Sequence, residues 1–194
     1  GKPRGFCAGV VRAIEIVEHS IEKFGSPIYI KHQIVHNPHV VAAIEKKGAI
    51  TVENIEEIPK GSTVIFSAHG SPPSDYDKAK QRQLKIIDAT CPLVTKVHNE
   101  AKKYEKDCRK LILIGHEGHQ EVIGTMGQAE VYLIDDRGKW SLPNWPQNQP
   151  ITIITQTTLS VDDTITVVRK IKDFFSNVIV RNDLCYATTN RQLV

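Results

Sequence analysis

One order of parts occurs twice along this chain: a cysteine, an amphipathic run, a short β-branched run, and then a histidine. Cys7 is followed by Val10, Ala13, Ile14, Val17, Ile21 and Phe24, spaced for one face of a helix. A turn at Gly25, the strand-like PIYIKHQIV and His36, 29 residues after the cysteine, complete the set. Cys91 precedes Pro92, where a first helical residue tolerates a missing N–H. Leu93, Val97, Ala101 and Tyr104 share the next face, and KLILIG leads to His119, 28 residues on. Cys185 opens the same order a third time, nine residues before the last one.

Helices that alternate with short β-branched strands predict parallel sheets built from βαβ units with right-handed crossovers. The fold class expected is therefore α/β, as repeated small units with mainly parallel sheets. The first unit covers 1–90, with strands near 27–35 and 62–67 and a helix from about Pro38. The second covers 91–194, with KLILIG, EVYLI and ITIIT as strands. A helix follows Ser160, where SVDD reads as an N-cap with acidic residues in the first turn. The Pro-rich GKWSLPNWPQNQP reads as a surface connection within that unit, because strand signals resume at once.

Composition excludes several classes. A net charge of +3 with no basic block argues against nucleic acid as a partner. No stretch approaches the roughly 20 apolar residues of a membrane span, and the N-terminus lacks a signal-peptide layout. Four widely spaced cysteines with no sign of export point to a reducing cytoplasm, where such thiols bind metal, catalyse or lie buried. Cys108, in YEKDCRKLILIG at a helix exit, has no role assigned.

The chemistry-bearing residues fall where α/β sheets bind ligands, at the carboxyl ends of strands. His36 follows QIV, His69 follows VIFSA, and His116 and His119 follow LILIG. Such histidines suit zinc or an anion, and the three cysteines stand at helix mouths, where unpaired N–H groups favour the negative charge of a thiolate. Three thiolates fit a [4Fe–4S] cluster with one iron open to substrate. Zinc held by three cysteines and a histidine is the competing reading, which spacing alone does not exclude.

RGFCAGV, IVHN, FSAHG, DATCPLVTKVH, IGHEGHQEVIGTMGQ, TQTTLSVDD and CYATTNRQ resemble, in order and along the whole chain, the motifs of the LytB/IspH family, the 4-hydroxy-3-methylbut-2-enyl diphosphate reductases. The resemblance implies units arranged around a central iron–sulfur site. It also implies reductive removal of an allylic hydroxyl to give isopentenyl and dimethylallyl diphosphates, the last step of the non-mevalonate pathway. Cys7, Cys91 and Cys185 match the family's ligands to a [4Fe–4S] cluster. His36, His69 and His119 match its diphosphate-site histidines, Glu121 its proton donor, and Gln156 and Thr157 its polar substrate contacts, Thr157 also in proton relay. Glu121, two residues after His119, is expected on the same loop.

The implied partners are a small allylic diphosphate and an electron donor such as ferredoxin or flavodoxin. The implied location is the cytoplasm, or a plastid where a transit segment has been removed. The family pattern includes a third α/β domain that this chain does not reach, and a charged residue where Val11 stands. An acidic residue in that first turn gains a few tenths to about 1 kcal/mol from the helix dipole, which valine forgoes. The competing class is a non-catalytic anion- or zinc-binding α/β module.

Overall fold

A computed structural model of the chain describes residues 6–185 and residue 187. The chain divides into two compact units, residues 1–94 and 95–194. In the first unit, α1 (Ala8–Phe24) leads to β1 (Ile28–Lys31), α2 (Pro38–Lys46), β2 (Ala49–Val52), β3 (Thr63–Phe66), α3 (Pro73–Gln81) and β4 (Lys85–Asp88). The four strands form one parallel sheet in the order β2-β1-β3-β4. Helix α4 (Pro92–Lys106) contains the division between the units. The second unit continues with β5 (Lys110–Ile114), α5 (Gln120–Met126), β6 (Val131–Ile134), β7 (Ile151–Thr155), α6 (Val161–Phe174) and β8 (Val178–Val180). Its sheet is also parallel, in the order β6-β5-β7-β8.

The periodicities explain both cores. Ala13 and Val17 of α1 are fully buried against Ile28, Ile30 and Ile65 of the first sheet. Ile112, Ile114 and Ile153 meet Val167 and Ile171 of α6 in the second. Each fully buried Val or Ile contributes about 1.5–3 kcal/mol. Asn37 caps α2, its side chain accepting from the N–H groups of His39 and Val40, with Pro38 at the tolerated first position.

Several sequence expectations are corrected. The strand predicted over 27–35 ends at Lys31, because His32 adopts φ +60° and turns the chain out of the sheet. Phe24, read as part of the buried face of α1, is 43% exposed. The connection 138–150 is not merely superficial: Trp140, Leu142 and Trp145 pack against the second core. Strands β2, β4 and β8 and helices α3 and α5 complete the units without having been marked in the sequence. The residues after Cys185 in CYATTNRQ, apart from residue 187, and those before Phe6 in RGFCAGV lie outside the described residues.

Candidate active site

In the first unit two helix N-termini bring two of the three cysteines together. Cys7 is the N-cap residue of α1, and Cys91 stands directly before α4. The segment that presents Cys91 is held from three sides. Its own N–H donates to the Ala68 carbonyl at 2.9 Å. Arg12 Nη1 donates from α1 to the Thr90 carbonyl at 3.0 Å. Asp88 accepts the Thr90 N–H at 2.8 Å on one oxygen and the Tyr76 hydroxyl at 3.0 Å on the other.

Gly9 shows how close the two sulfurs come. A Cβ added there would lie 2.9 Å from Cys91 Sγ and 3.9 Å from Cys7 Sγ. Both thiols are half-buried and neither forms a disulfide. Two sulfurs converging on a gap left by a missing side chain form a donor set suited to a thiolate-bound centre.

The same unit gathers histidines at the carboxyl edge of its sheet. His36, after β1, and His69, after β3, have ring centroids 3.8 Å apart at a tilt of 31°. Burial, followed by the neighbouring charge of His32, lowers the pKa of His36 from its ordinary value. A neutral imidazole still donates one N–H, so the pair can contact an anion as hydrogen-bond donors.

In the second unit the remaining sequence-predicted residues meet around one carboxyl. His119 is the N-cap of α5, and its Nδ1 accepts the Glu121 N–H at 3.2 Å. That bond puts the proton of a neutral ring on Nε2, as a donor directed elsewhere. Glu121 therefore sits in the first turn of α5 and not, as expected, on the loop with His119. It is buried, and Thr157 holds both its oxygens: the Thr157 N–H donates to Oε1 at 2.6 Å and the hydroxyl to Oε2 at 3.1 Å. The Thr157 carbonyl in turn accepts the Cys185 N–H at 2.7 Å. Gln156 braces the neighbouring loops, accepting the His116 N–H at 3.0 Å and donating to Thr158 Oγ1 at 2.7 Å. Gly115 leaves room for this packing, since a Cβ there would lie 2.6 Å from Val122 Cγ2.

Burial pushes the Glu121 pKa up to about 7, helped by the nearby charge of Asp183 and opposed by the two bonds from Thr157. Asp183 is itself fully buried and raised to about 6 by burial and by Glu100. Lys96 Nζ reaches its Oδ1 at 3.2 Å and the Asn182 carbonyl at 3.3 Å, tying down the segment that leads to Cys185.

A raised carboxyl pKa means that the folded chain holds a proton that the unfolded chain has lost above about 4.5. Stability therefore falls as pH rises toward the folded value. Glu121→Gln removes this group's share of the loss. Urea denaturation is expected to show the variant gaining on the order of 2 kcal/mol over wild type between about pH 5 and pH 8, and a constant gap would contradict the burial argument.

Sequence reasoning passed over three residues that the structure places at these sites. His32 lay inside a presumed strand, Gly9 carries no chemistry to notice, and Asp183 had no visible partner. Only the NDLC segment, with an acid two residues before a singled-out cysteine, offered a signal.

Residues 1–193 match the family model described as LytB protein. A 4-hydroxy-3-methylbut-2-enyl diphosphate reductase of Bradyrhizobium diazoefficiens is 51% identical over 195 residues, covering 98% of this chain and 63% of the relative. The reductase of Glaesserella parasuis is 50% identical, with the same 98% and 63% coverage. Among solved structures, the E-1-hydroxy-2-methyl-but-2-enyl-4-diphosphate reductase of Plasmodium falciparum superposes with a TM-score of 0.90 at 43% identity, over 99% of this chain and 62% of that one. The chain thus spans less than two thirds of the length of these relatives.

Proposed function

The chain belongs to the LytB family, and on that premise we propose that it forms part of a 4-hydroxy-3-methylbut-2-enyl diphosphate reductase, which replaces the allylic hydroxyl of its substrate by hydrogen. The substrate, two electrons and two protons become water and either isopentenyl or dimethylallyl diphosphate. The observation that carries the reading is the run of bonds from Cys185 through Thr157 to a carboxyl that burial keeps protonated to about neutral pH.

Cys7 and Cys91 of the first unit and Cys185 of the second are the residues that would hold a [4Fe–4S] cluster. The crowding of two sulfurs about Gly9 fits such a group. When bound, the cluster would supply electrons and Lewis-acid chemistry. An electron donor of the ferredoxin or flavodoxin type would reduce it.

The remaining work falls to side chains. Removing a hydroxide needs a proton at the moment the C–O bond breaks, and Glu121 near its midpoint at pH 7 has one to give. The contact between Oε2 and the Thr157 hydroxyl runs in either direction. With its proton on Oε2, Glu121 donates to Thr157 Oγ1, which passes its own hydrogen to the departing oxygen. Reprotonation of Glu121 from solvent restores the pair. His36, His69 and the Nε2–H of His119 donate to the diphosphate, each charge-assisted bond contributing about 1.5–3 kcal/mol. Gln156 acts here chiefly as a brace, since its amide oxygen and one amide hydrogen are committed to the loops around it.

The direct test is anaerobic turnover in a protein of the relatives' full length carrying these residues. With a low-potential reductant, the allylic diphosphate is expected to yield both isoprenoid diphosphates. Tight diphosphate binding with the hydroxyl left intact would instead favour the non-catalytic anion-binding module.

A further inference from the structure

The three histidines His32, His36 and His69 offer nitrogen atoms that all lie within 4.8 Å of one another. His32 packs edge-on against both of the others, with ring centroids 6.0 Å from each. This convergence requires an uncommon backbone. His32 takes φ +60°, outside the range usual for a side-chain-bearing residue, and its N–H donates to the Val52 carbonyl at 2.9 Å. The turn that ends β1 thereby swings a third ring toward the pair contributed by the neighbouring strand ends. Glu53, at the end of the adjacent strand, holds His32 Nδ1 at 2.9 Å.

A carboxylate on Nδ1 fixes the tautomer and leaves Nε2 as the metal-binding nitrogen, the orienting arrangement found behind many zinc-bound histidines. Three imidazoles with one position left open form a familiar zinc donor set, and no carboxylate is needed in the inner shell. We infer that His32, His36 and His69 form a binding site for a zinc-class divalent ion, with Glu53 orienting His32. The inference stands on the geometry of these rings alone. Only one consequence depends on the function proposed above: metal and diphosphate draw on the same nitrogen atoms, so zinc-class ions act as inhibitors of the reaction.

Cobalt(II) reports the site, because its visible d–d bands follow binding while thiolate-to-metal charge transfer in the near ultraviolet marks cysteine ligation. Titration of the intact chain under anaerobic conditions is expected to reveal one equivalent of Co²⁺ whose d–d bands grow without further charge transfer. His32→Ala should abolish that equivalent or weaken it at least about 10-fold, and Glu53→Gln, which leaves all three rings in place, should weaken it by about 10- to 100-fold. Far-UV circular dichroism checks that each variant is folded. If every bound equivalent brings thiolate charge transfer, or if the thiolate-free equivalent keeps its affinity in both variants, the site does not exist. Neither result bears on turnover, so the proposed reductase activity is tested separately.

Discussion

Glu121→Gln is expected to lower turnover by about 10²–10⁴-fold, the usual contribution of a positioned general acid, while the KM for the diphosphate changes little. Glutamine is nearly isosteric and keeps an oxygen to accept the Thr157 N–H, so the bonds linking Thr157 to Cys185 persist. What it lacks is a proton to release at neutral pH. Single-turnover kinetics with pre-reduced enzyme isolate the chemical step, and an unchanged rate there would remove Glu121 from the proton path. A rise in KM with kcat unchanged would mark it instead as a binding residue.

Gly9→Ala is expected to produce the second large effect. Gly9 is the second residue of α1, where alanine keeps only part of its roughly 0.8–1 kcal/mol helix-interior advantage over glycine, so the melting temperature of the metal-free chain should hold. The added Cβ would nevertheless stand 2.9 Å from Cys91 Sγ, closer than such contacts allow. A free thiol can rotate away at little cost, whereas a thiolate fixed to a cluster cannot. Cluster occupancy after anaerobic reconstitution should therefore fall by about 10- to 100-fold, the scale of loss when the support around a metal ligand is disturbed. Full occupancy in Gly9→Ala would mean that the bound centre does not need the gap at Gly9.

The α/β architecture was legible because its causes are local. Apolar residues at helical spacing in α1 and α4, and short runs rich in β-branched and apolar residues in β3, β5 and β7, announce elements whose burial the structure bears out. The end of β1 was not legible, since histidine gives no warning of a left-handed backbone as glycine would. Strand β8 is only three residues long and not fully buried, too short to leave a pattern. Glu121 was expected on a loop because histidine is not among the usual capping residues, yet His119 caps α5 and draws Glu121 into its first turn.

The sites divide in the same way. The cysteines and strand-end histidines stood out by residue type and position. Gly9, His32 and Asp183 gain their meaning from neighbours distant along the chain: the sulfur of Cys91, the ring of His69, and the ammonium of Lys96. No pattern confined to one stretch of sequence encodes such contacts, because each depends on where a loop from another strand happens to end.

Metal analysis of anaerobically prepared protein decides whether Cys7, Cys91 and Cys185, carried by separate segments, hold one iron–sulfur centre. A brown protein with iron and acid-labile sulfide at about four each per chain is expected. A colourless protein holding stoichiometric zinc and no sulfide would contradict that assignment.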